Sequence, residues 1–91
     1  MGKVILNGYI LVPEVELESV KRELIEHIRL TRAEPGCLKF VVEQDGEEPA
    51  RFNVHEEFID RDAFDHHQER VKSSRWGSLT ANVSRHYTVF G

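Results

Sequence analysis

Arg51 to Val71, RFNVHEEFIDRDAFDHHQERV, changes its hydrophobic period part-way along. From Arg51 to Ile59 the apolar residues Phe52, Val54 and Phe58 recur at every second position, the spacing of one strand face, and Glu56 falls on that face. Asp60 is then a good N-cap and Asp62 adds an acid to the first turn. Phe64, His67 and Val71 follow at spacings of three and four, the mark of one helix face. The stretch therefore reads as a strand carrying Glu56 that runs into a helix carrying His67, both aimed at apolar surroundings. A carboxylate between Val54 and Phe58 is costly to bury unpaired and its pKa should rise, which suits a base or a hydrogen-bond donor. Each position also admits a purely structural role: an imidazole packed beneath the helix with its nitrogens bonded to backbone, or a carboxylate reaching water at the sheet edge.

Upstream, Val4 to Val12, VILNGYILV, is apolar on both alternating faces, with Val4, Leu6, Ile10 and Val12 on one and Ile5, Tyr9 and Leu11 on the other. Such a strand should be covered on both sides. Asn7 stands among them, its amide either satisfying local backbone or pointing into a cavity. Pro13 ends the strand, and Glu14, Glu16 and Glu18 suit a helix start. Leu17, Val20, Leu24 and Ile28 mark that helix's apolar face, and Glu34-Pro35-Gly36 stops it. Cys37 to Gln44 reads as a second strand, with Leu38, Phe40 and Val42 on one face and Cys37 and Val41 on the other. Asp45-Gly46 opens a hairpin connection into the Arg51 strand.

Downstream, Trp76 anchors a short turn or helical piece. Val83 to Phe90 forms a last strand with Arg85 and Tyr87 on one face, a cation and a phenol able to orient an anionic or phenolic ligand. The order βαββαβ predicts an α+β, ferredoxin-like fold, an antiparallel sheet with helices on one face. Two helices cover only one side of the sheet. The strand patterns make the other side apolar too, so a second copy is expected to cover it, giving a homodimer.

A chain of 91 residues is one domain, 1–91, and buries only roughly 60 to 70 % of its unfolded surface. With 40 % hydrophobic and 31 % charged residues, disordered and membrane-spanning classes are poor fits, and no apolar run approaches the roughly 20 residues of a spanning helix. The N-terminal MGKVILNGYILV reads as a strand rather than a signal peptide, because Asn7 and Gly8 interrupt the apolar run and no small-residue cleavage site follows before Pro13. A net charge of −4 excludes a generic nucleic-acid surface, which would cluster Lys and Arg. The single cysteine, Cys37, has no intrachain partner, which suits a reducing, cytoplasmic setting. There is no HExxH, paired CxxC or facial-triad spacing despite five histidines, and no glycine-rich phosphate loop or Gly-x-Ser-x-Gly. No metal or cofactor is expected on these grounds.

Glu34-Pro-Gly-Cys-Leu-Lys-Phe40, Gln44-Asp45, Arg51-Phe52, Glu56-Glu-Phe58, Asp62-Ala-Phe-Asp-His-His67, Trp76-Gly77 and Arg85-His-Tyr87 together resemble the antibiotic biosynthesis monooxygenase family, including its quinol monooxygenase-like members. The resemblance spans nearly the whole chain. It implies a dimeric α+β barrel in which two ferredoxin-like protomers enclose pockets between sheet and helices. It also implies oxygenation of a phenolic or quinol-like aromatic by O₂ without metal or flavin, with proton removal by the catalytic residues His67 or Glu56. Phe58 stands where the family's acid-x-tryptophan pattern has tryptophan. Asn7, Phe52, Phe58, Phe64, Trp76 and Tyr87 are the expected substrate-binding residues. Three relations remain open beside it: haem-degrading relatives, whose strand-one asparagine Asn7 matches although His67 lies where their helix tryptophan would be; an isomerase of a phosphorylated dicarbonyl, which would use His67 and Glu56 for the same proton abstraction; and a ligand-binding dimer without turnover.

Overall fold

A computed structural model describes residues 2–91. The chain runs β1 (Val4–Leu11), a single 3-10 turn (Glu14–Glu16), α1 (Leu17–Arg32), β2 (Cys37–Gln44), β3 (Arg51–Phe58), α2 (Arg61–Lys72), α3 (Arg75–Leu79) and β4 (Ser84–Phe90). The strands form one antiparallel sheet in the order β2-β3-β1-β4. This is the ferredoxin-like α+β arrangement expected from the sequence, with Trp76 in a short third helix.

Period-two burial of β3 is complete: Phe52, Val54, Glu56 and Phe58 are buried, and the residues between them are not. Their partners across the ladder, Ile10, Leu6 and Val4, continue the same inner face. Val20 and Leu24 of α1, Phe64 of α2 and Trp76 of α3 close over it to make one core. Asp60 caps α2, accepting a hydrogen bond from the Ala63 backbone N–H at 2.8 Å, and so fixes where the strand's period gives way to the helix's. Gly8 is a position where only glycine fits: a Cβ there would lie 2.0 Å from the His86 carbonyl oxygen of β4.

Two strand readings need correcting. In β2 the alternation does not hold, because a bulge shifts the register between Cys37 and Lys39. Cys37 and Phe40, three apart, therefore both lie opposite inward-facing residues, Phe58 and Glu56, while Leu38 is exposed. The second correction concerns the outer face of the sheet, which is less apolar than β1 alone suggests. Polar residues of β3 interleave with Ile5, Tyr9 and Leu11: Lys3 Nζ donates to Glu57 at 3.1 Å, and His55 Nε2 and Glu57 Oε2 pair at 2.7 Å. Arg51 lies 3.8 Å over the Tyr9 ring, which stacks on His86. On that face apolar exposure remains at Leu11 and at Phe90 of β4, which lies opposite Ile5, and every residue of β4 is exposed.

Candidate active site

Glu56 and His67, 11 residues apart in sequence, meet inside the layer between sheet and helices. Glu56 is 6 % exposed and His67 2 % exposed. His67 Nε2 stands 3.9 Å from Glu56 Oε1, beyond hydrogen-bond length, and that oxygen has no hydrogen-bond partner although it is fully buried. Burial, with a smaller contribution from the negative charge of Glu34, pushes the Glu56 carboxyl up to about 7.

The other nitrogen of His67 is anchored. Nδ1 lies 2.9 Å from Glu34 Oε2, an oxygen that also receives the Arg70 Nε–H at 2.7 Å. A carboxylate oxygen in that position can only accept, so the proton on the neutral ring sits at Nδ1. The lone pair of Nε2 therefore faces Glu56. Arg70 is itself fixed by donating to Thr31 Oγ1 at 2.9 Å, tying α1, the turn after it and α2 into one support. Burial holds the His67 pKa below the ordinary histidine value; the Glu34 hydrogen bond and charge oppose this, and Arg70 and His66 add to it. An imidazole kept neutral, with a fixed tautomer and a free lone pair, is the form a general base needs.

Gly36 makes this support possible. A Cβ there would sit 2.3 Å from Ala63 Cβ, so only glycine lets the turn after α1 approach α2 closely enough for Glu34 to reach His67.

Beside these groups is a cavity of about 210 Å³ lined by Leu6, His27, Glu56, His67, Gln68, Val71, Trp76, Arg85 and Tyr87. Leu6, Val71 and Trp76 give its wall apolar surface, and the remaining lining residues are polar. Arg85 is oriented by donating from Nη2 to Thr80 Oγ1 at 2.7 Å. Tyr87 is 38 % exposed as a residue, and desolvation of its phenol, reinforced by the charge of Glu56, pushes it up to about 12; Arg85 acts in the opposite sense. Tyr87 is thus a hydrogen-bond donor at neutral pH rather than a base.

Residues 4–77 match the family described as antibiotic biosynthesis monooxygenase. The chain belongs to this family. Among solved structures it is similar to a "putative antibiotic biosynthesis monooxygenase" of Nitrosomonas europaea, with 22 % identity and a TM-score of 0.86 over 100 % of this chain and 91 % of that one. A protein of the same description from Deinococcus radiodurans shares 21 % identity, with a TM-score of 0.76 over 97 % of this chain and 90 % of the other. MupZ of Pseudomonas fluorescens shares 24 % identity and a TM-score of 0.75 over 100 % of this chain and 70 % of its own. At such identities these likenesses speak for the fold. No curated protein matches the chain.

In this member of the antibiotic biosynthesis monooxygenase family the residues expected from the sequence separate into three groups. Glu56, His67, Trp76 and Tyr87 line one cavity. Phe58 lies behind it, its ring 5.0 Å from that of His67, and Phe64 packs edge-on against Phe58 at 5.8 Å; Phe52 is in the core below. These three phenylalanines shape the site without lining the cavity. Asn7 is elsewhere: it lies exposed on the outer face of the sheet, hydrogen-bonded to His55. Its odd-numbered place in β1 puts it opposite the inward Leu6, so its amide cannot reach the cavity from this protomer.

Two neighbours of the site carry no role in the sequence reading. Glu34 reads there as part of a helix stop and as the first residue of a stretch that carries the family resemblance, and no local pattern connects it with a histidine 33 positions later. His27 did have a signal, because Val20, Leu24, His27 and Thr31 recur at spacings of four, three and four and are the residues of α1 that are buried. Among the described residues no cluster of His, Cys, Asp and Glu has an arrangement fit for a metal ion, and no helix is long and apolar enough to cross a membrane.

Proposed function

We propose that this protein is a monooxygenase that uses O₂ to oxidise a small phenolic or quinol-type aromatic, the substrate itself supplying the electrons. The observation that carries this is the Glu34–His67–Glu56 row: an imidazole with Nδ1–H held by a carboxylate and with Nε2 open toward a carboxyl raised to about 7, at the wall of a small cavity. His67 Nε2 takes the phenolic proton. The resulting anion transfers an electron to O₂, and recombination of the radical pair forms a carbon–oxygen bond at the ring. Glu56 in its protonated form supplies the proton needed as the O–O bond breaks and water leaves. A dihydroxybenzene and O₂ give a hydroxyquinone and one water, so four electrons leave the organic substrate and no external reductant is required. Water exclusion by the cavity protects the charged intermediates.

With an oxygen electrode, the purified protein is expected to consume one O₂ per benzenediol or naphthalenediol oxidised. Absence of uptake with every such diol, together with turnover of a phosphorylated dicarbonyl, would overturn the proposal in favour of isomerisation.

We further propose that the 91-residue domain works as a cytoplasmic homodimer, the outer sheet faces meeting so that Leu11 and Phe90 are covered and a dimeric α+β barrel results. Light scattering at micromolar concentration should give twice the monomer mass of 10.6 kDa, and a monomer mass would contradict it.

A further inference from the structure

Arg85 stands where the cavity meets the surface. In β4 it lies opposite the inward-facing Ile10, so its side chain shares the inner face of the sheet with Tyr87. It lines the cavity together with Glu56 and His67, and with Gln68 and Val71 it also lines a neighbouring depression that includes Lys72 and Gly77. The three shared residues form the junction between the two. Arg85 and Tyr87 are exposed there, whereas Glu56 and His67 are buried, so the site has a cationic outer end and a proton-transferring inner end.

The guanidinium is fixed but not neutralised. Nη1 donates to the backbone oxygens of Thr80 and Val83, both at 3.3 Å, and Nη2 donates to Thr80 Oγ1 at 2.7 Å. Thr80 is fully buried, and its own hydroxyl donates to the Trp76 carbonyl oxygen at 2.6 Å, so the anchor is held in turn. All three acceptors of Arg85 are uncharged. Among the described residues no carboxylate pairs with Arg85, whereas the neighbouring cations have theirs: Arg70 bonds to Glu34 and Lys72 to Glu69. Both terminal nitrogens turn to Thr80 and Nε makes none of these bonds, which leaves the Nε edge of the plane for a forked pair of oxygens. The charge is felt inside the cavity: it adds to the lowering of the His27 pKa and favours the ionised form of the Tyr87 phenol, the response expected of an anion placed beside it.

We propose that Arg85 binds an anionic oxygen group on the substrate, a carboxylate or a phosphate ester, at the outer end of the site, while the phenolic hydroxyl points inward to His67. The substrate is then a charged aromatic rather than a neutral diol. This rests on the oxygenase reading for the phenolic end, but binding tests it without turnover. Anaerobic calorimetric titration compares dihydroxybenzoates and dihydroxyphenyl phosphates with the matched neutral dihydroxybenzamides. The better charged ring is expected to bind about tenfold tighter than its amide, with the gap narrowing as salt is added, and the tighter of acid and phosphate identifies the source of the group. Arg85→Gln should bring charged and neutral rings to the same affinity, and Arg85→Lys, which keeps the charge but not the fork, should restore part of the preference. Equal binding of charged and neutral rings by the wild-type protein, or an undiminished preference in a folded Arg85→Gln, would overturn the proposal; the wild-type comparison decides it even where the variant does not fold. A preference for the charged ring without oxygen uptake from any of these diols would sink the oxygenase reading alone; uptake without the preference would sink this one alone.

Discussion

Replacing His67 by alanine is expected to lower kcat/KM for the diol substrate by about 10²- to 10⁴-fold, the range a positioned general base contributes. The expectation follows from the two ends of the ring. Nδ1 is occupied by Glu34, so deprotonation can only fall to Nε2, and Nε2 is the nitrogen that faces Glu56. His67→Gln, which fills more of the space but offers no basic nitrogen, should be equally inactive while melting closer to the wild type. Glu34→Gln should act differently: the amide can still meet the ring, but it can donate to Nδ1 as well as accept from it and so no longer dictates the tautomer. A fall in kcat with little change in KM is expected there. Wild-type kcat/KM in a folded His67→Gln protein would show that the imidazole is a packing residue.

Glu56→Gln should separate stability from activity, and in opposite directions. The folded-state pKa of about 7 lies above the ordinary value of 4.5, so folding favours the protonated carboxyl. The associated stability is present below pH 4.5 and is lost as pH rises through 7, a change of about 3 kcal/mol. Glutamine has nearly the shape of the protonated acid and cannot ionise. The variant and the wild type should therefore melt alike near pH 4, and above pH 7 the variant should be more stable by on the order of 10 °C in Tm. Activity should fall, because the amide cannot deliver the proton released to the departing oxygen. In the wild type the pH profile of kcat/KM should rise as His67 loses its proton, below the ordinary histidine value of 6.5, and fall near 7 as Glu56 ionises. Loss of the alkaline limb in Glu56→Gln identifies that limb with the carboxyl. A Tm difference that does not vary with pH would mean that Glu56 is not held protonated by the fold.

Much of this arrangement is legible in the sequence because two simple periods carry it. The alternation Phe52, Val54, Glu56, Phe58 and the spacing Phe64, His67, Val71 place a carboxyl and an imidazole on facing inner surfaces, and the fold brings those surfaces together. The same rule applied along α1 would have marked His27, whose polarity hid a core position at the spacing of Val20 and Leu24. Glu34 was not legible by such means, because its partnership depends on a turn tightened by Gly36 and on two helices meeting, and neither leaves a local pattern. The bulge in β2 inverted the faces of Cys37 and Leu38 for a related reason: a single unpaired residue shifts the period, and only the pairing partner shows it. Asn7 illustrates the reverse error, a polar residue in an apolar strand whose partner is another polar residue on the solvent side.

Glu56 and His67 occupy a layer that the monomer already encloses, so the chemistry can be put to a direct test with the protein alone. Incubation with a benzenediol that the protein oxidises under ¹⁸O₂ is predicted to place one ¹⁸O atom in the hydroxyquinone and the other in water, and His67→Gln should abolish both. Recovery of both labelled atoms as hydrogen peroxide, or label in the product undiminished by His67→Gln, would contradict the account.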